Sequence, residues 1–179
     1  MSLVVGPLHL FAVLLIVSGA DKIGAPGPST KAMNAASLFG DRRLGPWAGR
    51  SLGVVEVAVG GAVVAFGGVA SAVAMAAVYG GFGLFLVLLQ RRAADVSCGC
   101  FGASDAPPGA IHILIDLAAA GTAVAAALTT APDLTLVIDE GIGMFAAHVV
   151  LVVTGALLVI AASSVLEDVN DKRRILRSP

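Results

Sequence analysis

Residues 49–89 read GRSLGVVEVAVGGAVVAFGGVASAVAMAAVYGGFGLFLVLL, and the interpretation of this stretch decides the fold. Arg50 and Glu56 are its only charged residues, and it is long enough to cross a bilayer twice at about twenty residues per helix. Gly67-Gly68 is the natural place for a tight turn, because glycine reaches backbone conformations closed to other residues. The stretch therefore predicts a hairpin of two membrane spans, at 49–68 and 71–89.

The rest of the chain extends the pattern. Of 179 residues, 58% are hydrophobic and 13% charged, with a mean hydropathy of +0.95, a composition outside the range of soluble domains. Further apolar runs lie at 3–20, 109–130 and 141–164. The fold class expected is an all-α polytopic membrane helical bundle of about five transmembrane helices. Residues 1–164 form a single bundle domain, and 165–179 form a basic cytoplasmic tail, polar and frayed. The first span lacks a charged segment before it and a small-residue cleavage pattern after it, so it is read as retained rather than as a signal peptide. The net charge of −1 decides nothing further, and no nucleic acid is expected as a partner. Membrane lipid is the expected surrounding.

Basic residues set the expected orientation. Lys22, Lys31, Arg42, Arg43 and Arg50 follow span one, Arg91 and Arg92 follow span three, and Lys172, Arg173, Arg174 and Arg177 occupy the tail. All fall on one side, while the loop at 131–140 carries Asp133, Asp139 and Glu140. The positive-inside rule then puts the N-terminus outside, and the C-terminus and the loop around Cys98 in the cytoplasm, in a plasma (inner) membrane. The connection at 24–48 contains Pro26 and Pro28, and Ser29 or Thr30 can cap a short interfacial helix with Ala32, Met33, Ala36 and Phe39 on its apolar side. Such a helix serves either as a partial lid over the bundle or as a solvated connector. The glycines in 49–53, at 60–61 and in 80–83 allow close approach between membrane helices.

The two cysteines stand one residue apart, in Ser97-Cys98-Gly99-Cys100-Phe101-Gly102. Two thiols so close can form a small-ring disulfide, ligate a soft metal or exchange electrons with another thiol pair; the alternative is a pair of small buried residues in a turn. A disulfide across so short a loop departs from relaxed geometry, which makes it oxidising and labile. Zinc fits poorly, since the usual two-residue spacer is absent and, beyond His112, no fourth ligand is evident; no metal is expected. Glu56 lies inside span two, where an unpaired carboxylate costs about 3 kcal/mol. It is either a proton-handling group or half of an ion pair, with Arg50 or Lys22 as partner. His112 and Asp116, four residues apart at the start of span four, share a helix face near the cysteines. They are either an acid-base pair that activates a thiolate or an interfacial histidine beside a neutralising acid. His9 and His148 read as packed or interfacial residues.

The Cys-Gly-Cys-Phe-Gly run, placed between spans three and four, resembles the methylamine-utilisation MauE family within the DoxX-like membrane proteins. The ending Ser18-Gly19-Ala20-Asp21-Lys22-Ile23 of span one, and Glu56 followed by Gly60 in span two, are similar to features of the same group. The resemblance covers about residues 8–130, a four-helix core, and leaves span five outside. It implies a redox-associated membrane protein in which Cys98 and Cys100 are the redox pair, similar to factors that assist disulfide formation and to quinone-linked thiol oxidases. Quinone is the only cofactor this suggests. With no second cysteine pair in the chain, electrons would have to pass to a thioredoxin-like partner. Nothing in the residues indicates methylamine as a substrate. Two function classes stand: a thiol-disulfide oxidoreductase with Glu56, His112 and Asp116 as proton-handling groups, and a non-catalytic accessory subunit of a larger membrane complex, such as a respiratory or cell-envelope assembly. A small-solute carrier is disfavoured by the lack of inverted repeats.

Overall fold

The computed structural model describes residues 4–38, 40, 43–93, 96, 109–129, 135–139 and 141–175. They form seven helices: α1 (Val5–Gly24), α2 (Gly27–Ala35), α3 (Pro46–Phe66), α4 (Gly68–Arg92), α5 (Ala110–Leu128), α6 (Thr135–Asp139) and α7 (Ile142–Ile175). No strand occurs among the described residues. Five helices are long and apolar enough to cross a membrane, namely α1, α3, α4, α5 and α7 over Ile142–Ser163. Each matches one span read from the sequence. Every backbone polar group within a helix is satisfied locally, which is the condition for crossing hydrocarbon.

The hairpin turns where the sequence places it. Gly67 and Gly68 have φ of 57° and 82°, left-handed values that side chains with a Cβ avoid. Ser71 steadies the turn by donating to the carbonyls of Gly67 and Gly68. From this turn α3 and α4 diverge. They touch much less than α1 touches α3 or α4 touches α5, and these two pairs are the main packing units of the bundle.

The α1–α3 contact is close because glycine lines it. The buried side of α3 is Gly49, Gly53, Glu56, Gly60 and Val63, a stripe at helical spacing. A Cβ on Gly53 would stand 2.5 Å from the Gly19 carbonyl oxygen, and one on Gly60 would stand 2.7 Å from that of Ala12. The backbones can meet only while both positions lack side chains. The glycines of α4 behave otherwise. A Cβ on Gly80 or Gly81 meets nothing within 4 Å, so these two do not serve the helix packing expected of them. The apolar core, including Leu8, Leu15, Met75 and Tyr79, fills the interior between α1, α3, α4 and α5.

Three details depart from the sequence reading. First, α1 continues to Gly24, so Lys22 is a buried residue of the helix and not part of the following connection. A basic residue in the last turn suits the helix dipole, and an acid on α3 meets its charge. Second, Ser29 and Thr30 do not cap α2, which begins from Pro26; they lie buried within its first turns. Proline supplies helical φ without needing a donor partner, and Ser29 Oγ donates to the Pro26 carbonyl at 3.1 Å. Third, α7 runs as helix to Ile175, where a frayed extension was expected, because residues 164–175 contain neither glycine nor proline.

Helix α2 lies over one end of the bundle rather than in solvent. Ala32 and Ala36 pack with Leu86 and Leu89 of α4, Arg92 donates to the Ala36 carbonyl at 2.8 Å, and Asn34 clasps Leu44 by bonds of 3.0 and 2.8 Å to its carbonyl and amide. Helix α7 leans on α1 with His148, Val152 and Ala156 inward and Val150, Leu151, Leu157 and Leu158 exposed, an apolar outer face suited to lipid.

Candidate functional site

Four helices bring polar side chains together beneath α2. On α1, Ser18 and Lys22 stand one turn apart on the face turned to α3. Lys22 Nζ donates to Glu56 Oε2 at 3.0 Å and to Ser18 Oγ at 2.5 Å. Both partners of the ion pair are buried, with 5% of the Lys22 side chain and none of Glu56 exposed. Phe82 of α4 lies 5.6 Å from Nζ at its ring centroid, within the range of a cation–π contact. Of the two partners considered for an ion pair with Glu56, the structure pairs it with Lys22; Arg50 is exposed at the start of α3.

Helix α5 contributes the rest. His112 and Asp116 are both buried and one turn apart on the same face, as their spacing predicts. Asp116 and Lys22 line the same cavity, so a second carboxylate stands near the ion pair in a setting of low polarity, where charges interact more strongly than in water. Glu56 Oε1 has no hydrogen-bond partner among the described residues. Tyr79 closes the floor by donating to the Phe11 carbonyl at 2.6 Å.

The cluster borders a cavity of about 320 Å³. Ser18, Lys22, His112 and Asp116 form its polar side, and α2 roofs it with Ser29, Met33 and the following Leu38; the remaining walls are apolar and aromatic, including Leu14, Phe82 and Phe85. An apolar pocket with a few convergent polar groups is the usual form of a small-molecule site. Of the two readings of the 24–48 connection, the lid is the one the structure supports.

Cys98 and Cys100 lie outside the described residues. The segment that carries them leaves α4 at Arg92 and rejoins the bundle at Ala110, two residues before His112, at the end of the bundle where the cavity lies. Glu56, His112 and Asp116 do converge on one region. Sequence reasoning missed the part of Ser18 and the full role of Lys22, though a serine four residues before a lysine in an otherwise apolar span was a signal for both. It also missed a second polar contact. His9 Nδ1 and His148 Nε2 lie 2.8 Å apart, their rings edge to face, joining α1 to α7 in the half of the bundle away from α2. Among the described residues, no three histidine, cysteine or acidic side chains group as metal ligands.

These features define an integral membrane protein, a bundle of apolar helices that holds a buried charge cluster beside a roofed pocket. Residues 2–131 match the family described as methylamine utilisation protein MauE, and the chain belongs to that family. The match spans α1 to α5, so it contains the whole cluster and the cysteine segment and stops before α6 and α7. Comparisons with curated proteins and with solved structures gave no match.

Proposed function

We propose that this chain is a membrane thiol-disulfide redox protein in which Cys98 and Cys100 alternate between dithiol and disulfide. The observation that carries the reading is the position of the charge cluster: Lys22, His112 and Asp116 line a pocket, with Glu56 behind them paired to Lys22, at the end of the bundle from which the Cys98 segment departs and to which it returns. A thiolate needs a base to form and a nearby positive charge to persist, and this cluster offers both kinds of group.

In the oxidising direction, a thiolate of a thioredoxin-like partner attacks the Cys98–Cys100 disulfide, forming a mixed disulfide and releasing one cysteine thiolate. The partner's second thiolate then displaces the other cysteine, so the partner leaves oxidised and the pair is left reduced. The dithiol regains its disulfide by passing two electrons and two protons to a membrane quinone, which leaves as the hydroquinone. His112 and Asp116 are the groups proposed to move those protons, with Lys22 paired to Glu56 beside them. The distribution of basic residues supports a cytoplasmic position for the Cys98 loop, where thiol pairs serve as transient redox groups rather than as permanent crosslinks.

Trapping tests the reading. With Cys100→Ser, Cys98 attacking the disulfide of the oxidised partner forms a mixed disulfide that the pair's second cysteine cannot displace, so a reductant-sensitive adduct is expected on a non-reducing gel, and Cys98→Ser tests Cys100 in the same way. If neither variant traps an adduct and the partner's redox state is unchanged, the redox reading fails. A stoichiometric membrane complex that assembles without either cysteine would then make the chain an accessory subunit.

A further inference from the structure

The pocket beneath α2 does not end inside the bundle. Ala77 and Gly81 of α4, and Leu52 of α3, line it, and Ala77 and Gly81 are also exposed on the outer surface of α4. The gap follows from the splay of the hairpin: α3 and α4 are pinned together at Gly67-Gly68, and with so little contact between them they separate toward the other end, where α2 covers the top but not the side. The two residues at the gap are among the smallest, and a Cβ on Gly81 would meet nothing within 4 Å. Exposed neighbours such as Val55, Val73 and Leu84 place the opening on the apolar, lipid-facing belt. A molecule reaching the pocket by this route comes from the bilayer.

We infer that this lateral opening between α3 and α4 admits a membrane quinone, whose head group lies against Lys22, His112 and Asp116 while its tail extends past Ala77 and Gly81 into lipid. The chemistry of the walls selects this occupant. The apolar and aromatic sides accept a flat ring, and the acid and imidazole of α5 supply proton donors and acceptors at the polar end, beside the positive charge of Lys22, whose donors Ser18 and Glu56 engage. A cavity of about 320 Å³ is at the small end of ligand pockets, suited to a head group but not to a whole lipid. The choice of a quinone rests on the redox reading above; the opening itself rests on the geometry alone.

A photoreactive azido-quinone with a short tail, added to the full chain in lipid nanodiscs and mapped by mass spectrometry, tests this. Labelling is expected on peptides lining the pocket and should be competed by excess ubiquinone-type analogue. Gly81→Leu, which fills the opening, should reduce that labelling about tenfold, equivalent to one decade of affinity, with the thermal transition unchanged. Gly80→Leu, also exposed with open space around it but not lining the pocket, should label like the unaltered protein. Labelling spread evenly over the outer helix faces, labelling indifferent to Gly81→Leu, or a phospholipid that co-purifies in the pocket and resists the quinone would each overturn the inference. The chain carrying Cys98→Ser and Cys100→Ser should still be labelled. Labelling with no thiol cycling would leave the opening standing and remove the redox function, whereas cycling without labelling would remove the quinone site alone.

Discussion

The two halves of α1 hold polar groups in contrasting settings. Near its start, His9 meets His148 of α7, their ring nitrogens 2.8 Å apart. Near its end, about 20 Å further along the helix at 1.5 Å per residue, Lys22 meets Glu56 in a charged pair that also involves Ser18 and, with Asp116 nearby, borders an open pocket. The first contact joins a helix outside the family-matched region to the core; the second lies wholly within it. A polar pair that fills its own space fastens one helix to another, and a polar cluster beside a void is disposed to receive a third party. The two ends differ both in residue type, an imidazole pair against an ammonium and a carboxylate, and in what surrounds the groups.

Breaking the charged end should have the largest effect. Lys22→Met leaves the fully buried Glu56 without its cation, and loss of one partner of such a pair costs about 3–5 kcal/mol. Thermal unfolding in detergent should show a large fall in midpoint, and pairing Lys22→Met with Glu56→Leu should recover most of it, since an apolar replacement of both ions removes the unpaired charge. A single variant no less stable than the unaltered protein would mean that the pair is not structurally important. Next in size is Gly53→Val, which forces α1 away from α3; overpacking of this kind costs about 1–3 kcal/mol, measurable by the same transition.

His148→Leu should have a smaller effect, about 1 kcal/mol for one net hydrogen bond, expressed locally as faster hydrogen exchange in α7 and not in α4 or α5. A double-mutant cycle with His9→Leu isolates the pair, and additivity of the two substitutions would show that they do not interact. Asp116→Asn should have the smallest effect on stability, within about 0.5–1 kcal/mol because the shape is kept, yet it should slow reoxidation of the cysteine pair. Unaltered reoxidation would remove Asp116 from proton handling.

Much of this contrast was open to a reader of the sequence, but not all of it. The five spans follow from apolar length, and the turn at Gly67-Gly68 follows from two glycines between runs that would otherwise fuse. Glu56 stood out because a carboxylate has no reason to be in an apolar span without a partner. Its partner was harder to fix: basic residues near span ends are normally read for topology, and that habit placed Lys22 outside the helix in which it is buried. Helix α2 was legible as a short interfacial helix, but the choice between a lid and a solvated connector was not, for a different reason. Its residues are hardly apolar, and its place as a roof depends on contacts such as Arg92 with Ala36, 56 residues apart. The His9–His148 contact spans 139 residues, and no local pattern announces it. Gly80 and Gly81 looked like packing glycines because composition records a missing side chain but not which neighbour, if any, takes the space.

The most direct test of the proposed redox role is the state of Cys98 and Cys100 in native membranes, read by acid quenching and mass-shift alkylation with and without a respiratory inhibitor. The account predicts a mixture of dithiol and reducible Cys98–Cys100 disulfide that shifts toward dithiol when quinone reoxidation is blocked. Two thiols that stay free and unchanged under both conditions would contradict it.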